Sequence, residues 1–456
     1  MVARLVIAGT ASGVGKTTVT VALARALAAR GLRVAVCKCG PDYLDPSYHA
    51  RATGAPSESL DGWMMGRDAV LATFRYATRG ADIALIEGVM GLYDGASPTG
   101  EVGSTAEIAK WLAAPVVLVC DASGMARSIA ALAGGFAAFD PALVFAGVVC
   151  NRLGSRSHLA LLRAACDTPR VLGGLPKEPE LAFPERHLGL VTADRTALPD
   201  AVLDGWGARA ADWIDLDALV AAARSAPPLA ELVPAPAAGA APPVCRIGVA
   251  LDAAFHFYYA DNLRRLEELG AELVRLSPIR DAALPDVDGL YLGGGYPEVH
   301  AAELAANTAM RTAIAAFAAA GGPIYAECGG LMYLARGIRT RDGALHDMVG
   351  LVPGEAAMHD RRVALGYVEV ETQGPTVLGE AGLRFRGHEF RYSELALGGD
   401  IEHAYTVRRR RGGEVRREGY RIGNVLASYV HAHWASNPLA ARGLVSACAA
   451  RRARRE

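Results

Sequence analysis

The sequence lacks the features that mark a membrane or secreted protein. No apolar run reaches the roughly 18 residues that a transmembrane helix needs. The apolar stretch Leu5–Ala8 is short and runs straight into a glycine-rich loop, unlike a signal peptide. The eight cysteines contain no C-x-x-C pair, so neither a zinc ribbon nor a dithiol redox motif is indicated. We therefore expect a reduced protein of the cytoplasm.

An excess of charge of either sign is also absent. Lys and Arg number 47 against 48 Asp and Glu, and the formal net charge is −1. Nothing in the charge balance therefore favours binding to nucleic acid or to a membrane surface. Hydrophobic residues make up 52% of the 456 residues, enough for large cores in two or three domains. A basic cluster near the end is expected to be a solvated helix end: Arg451, Arg452, Arg454 and Arg455.

Proline is concentrated in one segment of the chain. Six prolines fall between residues 227 and 243, where they disfavour both a continuous helix and a central strand. We predict a linker over 227–243, a first domain over 1–226 and a second domain over 244–450. On both sides of the linker, short apolar runs alternate with segments of helical spacing. This alternation predicts α/β domains, the first built on a parallel sheet and the second richer in strands after residue 366.

The apolar runs also predict individual elements. Ligands bind at the carboxyl ends of the strands in such sheets, so the residues after each strand are candidate site residues. In the first domain the predicted strands are 4–9, 33–38, 83–87, 116–121 and 145–151, and the predicted helices are 19–30, 69–79 and 104–112. In the second domain the predicted strands are 246–251, 272–276, 289–292, 323–326, 366–372, 387–392 and 425–429, and the predicted helices are 258–269, 301–320 and 329–337.

The first predicted strand leads into GTASGVGKTT at residues 9–18, which a helical pattern follows. A strand, a glycine-rich loop ending in Lys-Thr and a helix are the context of a P-loop. There, backbone N–H groups and the positive end of the helix hold phosphate. Thr10 stands where the usual motif has a glycine, and the glycine comes one position earlier. We predict that five residues of this loop bind ATP: Gly13, Gly15, Lys16, Thr17 and Thr18.

Charged side chains follow the next two predicted strands, in KCGPDYLDP at 38–46 and EGVMGLYDG at 87–95. Mg²⁺ prefers oxygen ligands, so Thr17 and Glu87 are the predicted metal ligands. The alternative is that the acids cap turns, as aspartate often does. Asn151, after the fifth predicted strand, is a candidate contact for the nucleotide base, with a turn-forming role as its alternative. The predicted catalytic residues of this half are Lys38, Asp42, Asp45, Glu87 and Asp94.

The second domain carries PIYAECGGLMYL at 323–334, which predicts a strand, a tight turn and a helix. Such an elbow exposes Cys328 as a nucleophile, and a helix N-terminus lowers a thiol pKa. The N–H after the cysteine can bind an oxyanion, with a second donor from Gly293–Gly295. His431 and His433 are both candidate bases, because alternation puts them on one strand face and spacing alone does not choose. No acid stands two residues after either histidine. The alternative for the cysteine is a buried structural role.

Eight segments resemble, in order and over nearly the whole chain, the cobyrinate a,c-diamide synthase family of glutamine-dependent amidotransferases. The resemblance implies a dethiobiotin-synthetase-like first domain that uses ATP and Mg²⁺, and a class I glutamine amidotransferase-like second domain that uses L-glutamine. It implies a ligase in which Cys328 and His431 release ammonia. The a- and c-carboxylates of a corrinoid are then activated as acyl phosphates and amidated. The segments are GTASGVGKTT, KCGPDYLDP, EGVMGLYDG, PERHLGL, AFHFYYADNL, LGGGYPE, AECGGLMYL and SYVHAHWASNP.

The resemblance gives the other site residues roles as well. The four acids match those that handle metal, substrate or intermediate, and Lys38 matches a basic residue suited to the carboxylate and its acyl phosphate. A missing third triad acid is typical of this glutaminase branch. Arg186 and His187 are candidates for the rim of a corrinoid groove.

Several related functions stay open at this point. Hydrogenobyrinate and nickel-sirohydrochlorin a,c-diamide synthases share the plan, since no residue reports the metal in the ring. Cobyric acid synthase is disfavoured because its loop after the second strand differs from GPDYLDP. A partition-type ATPase switch has a similar P-loop but no reason to carry Cys328. A homodimer is compatible with the sequence, which does not fix the oligomeric state.

Overall fold

The protein was analysed as a computed structural model that describes residues 2–178, 198–229, 243–410, 412–413 and 415–456. The chain forms two compact units, Met1–Pro234 and Ala235–Glu456, which divide inside the predicted linker. Most of that linker, together with Arg186 and His187, lies outside the described residues. Among the described helices, none combines the length and hydrophobicity required to cross a bilayer.

The first unit is a parallel sheet with helices. In the described residues the strands follow the order β3-β2-β4-β1-β5-β6-β7, and every neighbouring pair is parallel. The strands are β1 Ala3–Gly9, β2 Val34–Cys39, β3 Glu58–Leu60, β4 Ile83–Glu87, β5 Val116–Asp121, β6 Phe145–Leu153 and β7 Val171–Pro176. The helices are α1 Lys16–Ala29, α2 Asp45–Thr53, α3 Gly62–Met65, α4 Arg67–Ala77, α5 Thr105–Trp111, α6 Ser128–Phe139, α7 Arg156–Ala165, α8 Asp200–Trp213 and α9 Leu216–Arg224.

The central strands of this sheet are short apolar runs because helices cover both faces. All five residues of β4 are buried, as are six of the seven in β1. The five predicted strands are confirmed, with ends that shift by up to two residues. β3 and β7 were not predicted. β3 has only three residues, two of them polar, and β7 is interrupted by Gly173 and Gly174.

The second unit contains a ten-stranded sheet in the order β10-β8-β11-β13-β22-β21-β20-β17-β18-β23, with smaller sheets β12-β9 and β15-β14-β16-β19. Its strands are β8 Cys245–Ala250, β9 Phe255–Phe257, β10 Ala271–Leu276, β11 Gly289–Leu292, β12 Gly294–Gly295, β13 Ile324–Glu327, β14 Ala335–Arg339, β15 Leu345–Asp347, β16 Val352–Met358, β17 Ala364–Thr372, β18 Arg384–Arg391, β19 Ser393–Leu397, β20 Glu402–Arg409, β21 Arg416–Ile422, β22 Val425–Ser428 and β23 His431–His433. Its helices are α10 Ala260–Glu268, α11 Ala301–Ala306, α12 Thr308–Ala319, α13 Gly329–Leu334 and α14 Leu439–Arg455.

Two helix predictions in this unit were wrong in their extent. The predicted helix 301–320 is broken at Asn307, whose side chain accepts the N–H of Met310 at 3.2 Å and so starts a new helix. The predicted helix 329–337 ends at Leu334, because Ala335–Arg339 pairs with β15 and β16 instead. The predicted helix end at the C-terminus is confirmed, since α14 carries the basic cluster in its last turns.

Candidate functional site

The P-loop joins β1 to α1 at the carboxyl edge of the sheet. Gly13 and Gly15 have φ values of +80° and +94°, a conformation that favours glycine. A β-carbon on Gly15 would also lie 1.9 Å from the side-chain nitrogen of Asn151, so no other residue fits there without movement. Thr17 and Thr18 lie half-buried in the first turn of α1. The loop therefore has the backbone form that phosphate binding requires.

Lys16 lies within this loop rather than in solvent. Its ammonium donates to the carbonyls of Met90 at 2.6 Å and Ala11 at 3.2 Å. Burial, helped by the charge of Lys38, lowers the pKa of Lys16 to about 8, while Glu87 acts in the opposite direction. When phosphate binds, its charged oxygens would replace the two carbonyl oxygens as acceptors for the Lys16 ammonium. That exchange favours the protonated form of Lys16.

Glu87 and Lys38 form the buried centre of the site. They are direct partners in the parallel pairing of β4 with β2. The Lys38 ammonium contacts Glu87 at 3.2 Å and Asp45 at 3.0 Å, and donates to the carbonyl of Gly88 at 2.8 Å. Burial opposes the charge of Lys38, but the two acids outweigh it and raise its pKa. Lys38 is thus a satisfied cation beneath the loop, covered in this state by the acids that flank it.

The predicted metal ligands lie side by side. The Thr17 hydroxyl donates to Glu87 Oε1 at 2.8 Å. Although burial raises the pKa of Glu87, Lys38 and His49 outweigh it and hold that pKa well below its usual range. Two neighbouring oxygen ligands of an octahedral Mg²⁺, each about 2.1 Å from the ion, are about 3 Å apart. The 2.8 Å between the Thr17 and Glu87 oxygens is close to that distance. Thr17 and Glu87 would therefore be suitably spaced to hold a magnesium ion, with the other ligands supplied by phosphate and water.

The structure gives backbone roles to three other predicted residues. Asp42 Oδ1 accepts the N–H groups of Leu44 and Asp45, and so caps the start of α2. Asp94 Oδ2 accepts the N–H of Gly91 at 2.8 Å. Asn151 donates to the carbonyl of Val14 at 3.0 Å and so braces the P-loop. These contacts match the turn-capping alternative, and the predicted catalytic and base-binding roles stay predictions.

Cys328 occupies the predicted elbow between β13 and α13. Its φ of +48° is rare for a residue with a side chain, and such strain is common at catalytic turns. Its N–H donates to the carbonyl of Ser428 at 2.7 Å, and its thiol contacts the carbonyl of Phe390 at 3.9 Å. The expected low thiol pKa is wrong for this state. Burial, together with Glu298, raises the pKa of Cys328 to about 12, and the opposing effects of Arg391 and the Gly329 N–H do not offset it.

The loop predicted to supply an oxyanion donor lies between the cysteine turn and His431. A β-carbon on Gly294 would lie 2.5 Å from Cε1 of His431. A β-carbon on Gly329 would lie 3.1 Å from the nitrogen of Gly295. A side chain at Gly294 would displace the His431 ring, and one at Gly329 would press on the Gly295–Pro297 segment, so the two loops approach each other closely. The convergence puts a backbone N–H, the nucleophile turn and an imidazole in one place.

The structure distinguishes the two histidines that spacing left open. Both are buried in β23, and burial lowers the pKa of His431 to about 3 and that of His433 to about 4. His433 Nδ1 accepts the N–H of Ala435 at 3.3 Å, and Asp261 lies 4.0 Å away. His433 therefore closes the turn after the strand. His431 is the histidine that lies against Gly294, in the loop whose next residue approaches Gly329 of the cysteine turn.

Comparisons with known proteins cover both units. Residues 5–191 match the CobQ/CobB/MinD/ParA nucleotide binding domain, and residues 246–439 match the CobB/CobQ-like glutamine amidotransferase domain. A cobyrinate a,c-diamide synthase of Leptospira interrogans is 50% identical over 98% of each chain. One of Syntrophotalea carbinolica is 49% identical over 98% of each chain. The chain belongs to the a,c-diamide synthase family.

This family also includes a hydrogenobyrinate a,c-diamide synthase of Streptomyces coelicolor, 43% identical over 98% of each chain. The predicted fold class is confirmed, with a nucleotide-binding first unit and a glutamine amidotransferase-like second unit. The P-loop and the cysteine elbow of this family member therefore lie in the two domains to which the sequence assigned them.

Sequence reasoning missed one buried residue of the first unit of this a,c-diamide synthase family member. His49, on α2, brings Nε2 to 2.5 Å from Glu87 Oε2 and Nδ1 to 3.0 Å from Ser57 Oγ. It is 1% exposed. Its position at i+4 from Asp45 on one helix face was the available signal. The acid predicted to bind metal is thus held by a hydroxyl, an ammonium and an imidazole.

In the second unit, sequence reasoning missed Glu327 and His388. Glu327 Oε1 accepts the Ala432 N–H at 2.9 Å and the Tyr325 hydroxyl at 2.7 Å, while Oε2 accepts the Tyr291 hydroxyl at 3.0 Å. His388 pairs with His431 across β18 and β23. The acid next to the nucleophile was visible in the sequence, but its partner, a backbone N–H, was not.

Proposed function

We propose that this protein is an ATP- and glutamine-dependent ligase that converts the a- and c-side-chain carboxylates of cobyrinate into amides, in cobalamin biosynthesis. The observation that carries the proposal is the full-length similarity, near 50% identity, to relatives with that name. It is supported by the presence of both reaction centres in one chain. One is a P-loop whose Thr17 contacts Glu87 of the buried Lys38–Glu87 pair, and the other is the Cys328 elbow, approached by the loop that lies against His431.

The first unit would activate the substrate carboxylate. A carboxylate repels nucleophiles and has a poor leaving group, so transfer of a phosphoryl group from ATP makes an acyl phosphate that ammonia can attack. Such transfer depends mainly on positioning and charge neutralisation. Lys16 and the N–H groups of Gly13 and Gly15 would hold the phosphates. Lys38, paired with Asp45 and Glu87, would place a positive charge near the carboxylate and its acyl phosphate. Bound Mg²⁺, held by Thr17 and Glu87, would neutralise phosphate charge.

The second unit would supply ammonia from L-glutamine. The sulfur of Cys328 attacks the side-chain amide carbon while its proton passes to His431. The N–H groups at Gly329 and in the Gly294–Gly295 segment would stabilise the oxyanion. His431 returns the proton to the departing ammonia, and water then hydrolyses the thioester to glutamate. Burial raises the pKa of Cys328 and lowers that of His431, so the step starts from a protonated thiol and a neutral imidazole.

The metal-free ring is a second candidate substrate. The hydrogenobyrinate a,c-diamide synthase at 43% identity favours it, because the two substrates differ in the centre of the ring and not in the amidated side chains. The relatives at 49% and 50% identity favour the cobalt ring. The ring is therefore the part of the proposal that most needs direct measurement.

The experiment offers purified protein three rings in parallel, with ATP, Mg²⁺ and glutamine: cobyrinate, hydrogenobyrinate and nickel-sirohydrochlorin. Mass spectrometry then counts the carboxylates that become amides. The proposal predicts two amides on cobyrinate, formed faster than on the other rings. Diamide formation on hydrogenobyrinate alone would assign the second candidate, and no amide on any ring would refute the proposed activity.

A further inference from the structure

The imidazole of His431 is stacked nearly parallel to a second imidazole. β18 and β23 pair antiparallel, with His388 directly opposite His431. The two ring centroids lie 5.0 Å apart, and the ring planes differ by 16°. His388 is 4% exposed and His431 2% exposed, so neither ring faces bulk water.

The backbone beside this pair permits the close stacking. A β-carbon on Gly387 would lie 2.3 Å from the carbonyl oxygen of His431, so glycine is required next to His388. On another side, Gly294 lies against Cε1 of His431. The His431 ring is therefore confined by His388 and by the loop that faces the cysteine turn. Close packing on these sides limits the orientations open to the ring.

His388 is itself held by a hydrogen bond. The hydroxyl of Tyr259 lies 2.9 Å from His388 Nδ1, and Tyr259 is 2% exposed at the start of α10. The Tyr259 ring also contacts His433 at a centroid distance of 4.5 Å. One tyrosine therefore fixes the ring behind His431 and touches the second histidine of β23.

The acids near β23 act on other groups. Glu327 accepts the backbone N–H of Ala432, and Asp261 lies 4.0 Å from His433. In Cys-His-acid triads a carboxylate orients the imidazole through a hydrogen bond and stabilises its charged form. A stacked, buried imidazole orients the ring but does not stabilise its charge. Burial, together with the charge of His431, lowers the pKa of His388 well below its usual value.

We propose that His388, fixed by Tyr259, is the positioning residue for His431 and takes the orienting role that a carboxylate has in Cys-His-acid triads. The inference rests on the proposed glutaminase function of the second unit. It explains how the pair of Cys328 and His431 keeps a working geometry although no acid follows His431. His388 acts through His431 and does not itself contact glutamine.

The test compares His388→Ala, His388→Phe and Tyr259→Phe with wild type. We measure kcat and KM for glutamine hydrolysis, and the rate of amidation with free ammonium. His388→Ala should lower kcat for glutamine by on the order of 10- to 100-fold, with KM unchanged, because the base is misplaced and the substrate site is not. His388→Phe, which keeps a flat ring, should recover most of the loss. Tyr259→Phe should give a smaller loss.

A second readout separates positioning from mere folding. Without the His388 ring, water reaches His431 and its pKa rises, so the acidic limb of kcat/KM for glutamine should move to higher pH. Amidation with ammonium should stay at the wild-type rate. An unchanged kcat in His388→Ala, or equal losses with glutamine and ammonium, would overturn the inference. Absence of glutamine hydrolysis in wild type would instead refute the proposed function, and the inference with it.

Discussion

Glu87 holds the first site together because three side chains meet on one buried carboxylate. Thr17 and Lys38 contact Oε1, and His49 contacts Oε2. Glu87→Gln would remove the charge and leave Lys38 with one acid partner. We expect amidation to fall at least about 100-fold with glutamine and with ammonium alike, and the unfolding free energy to drop by about 3–5 kcal/mol.

Steady-state amidation and chemical denaturation measure the two effects of Glu87→Gln. The control is Glu101→Gln, which changes a half-exposed acid paired with Lys110 and should leave amidation unchanged. Amidation by Glu87→Gln at the wild-type rate would remove Glu87 from the mechanism.

Substitutions at His49 test how much its hydrogen bond to Glu87 contributes. His49→Phe leaves Glu87 Oε2 without its donor, which should cost about 1–3 kcal/mol of stability and slow amidation with either nitrogen source. His49→Gln keeps an N–H donor and should lie between Phe and wild type. Glutamine hydrolysis by the second unit is the internal control and should not change. Equal amidation by all three proteins would show that His49 only fills space.

The thiol of Cys328 gives a pH-dependent test. Because burial raises its pKa to about 12, the resting thiol is protonated throughout the working range, and the reactive thiolate grows with each unit of pH. Alkylation of Cys328 by iodoacetamide should therefore rise steadily from pH 6 to pH 10 without a plateau. The other seven cysteines are also buried, and Cys328→Ser provides the background. A plateau below pH 8 would indicate a resting thiolate.

At the scale of elements, the sheet of the second unit curls back on itself. β13 and β23 are six places apart in the strand order, yet the Glu327 side chain accepts the Ala432 N–H at 2.9 Å. The residue before the nucleophile is thereby tied to the residue after the candidate base. Glu327 pairs with Ser428 of β22, and two residues separate β22 from β23, so the pairing of β13 with β22 places Ala432 within reach.

Glu327 should make the stability of this unit depend on pH. Burial, only partly offset by its donors, raises its pKa from 4.5 to about 7. The folded state binds the proton of Glu327 more tightly than the unfolded state does. Its contribution to the free energy of unfolding is therefore fully present below the unfolded-state pKa and is lost as the pH rises through about 7. The shift corresponds to about 3 kcal/mol. Glu327→Gln should therefore raise the unfolding temperature relative to wild type more at pH 8.5 than at pH 5.

Differential scanning calorimetry at the two pH values measures this effect. Glu327→Leu, which also loses the acceptor for Ala432, should destabilise the unit at both. A Glu327→Gln effect that is the same at pH 5 and pH 8.5 would contradict the buried, titrating carboxyl.

The sequence predicted the elements whose patterns are local. β4, a run of five apolar or strand-ending residues, was predicted with the ends it has, and the pairing of Lys38 with Glu87 follows from two parallel strands ending at one edge. β14 was predicted as helix because its pairing with β16 is set by tertiary contacts. His388 was missed for the same reason, since its partner His431 is distant in the chain. His49 had a local signal, its i+4 spacing from Asp45, but its partner Glu87 lies on another strand.

At the scale of the whole molecule, the account joins two reactions that can be measured apart. Cys328 and His431 concern the nitrogen source, and Lys16, Lys38 and Glu87 concern activation of the carboxylate. Variants of the first set should lose glutamine-dependent amidation only, and variants of the second should lose amidation from every nitrogen source. The oligomeric state, which the sequence leaves open, is a separate matter that light scattering of the full chain would measure.

The most direct test of the central claim compares wild type with Cys328→Ser on cobyrinate, ATP and Mg²⁺. Each protein receives either glutamine isotopically labelled at the side-chain amide or free ammonium. The account predicts that wild type transfers the label to two side chains and forms one ADP for each amide. Cys328→Ser should transfer no label, yet amidate with ammonium at the wild-type rate. Label transfer from glutamine by Cys328→Ser would contradict the account.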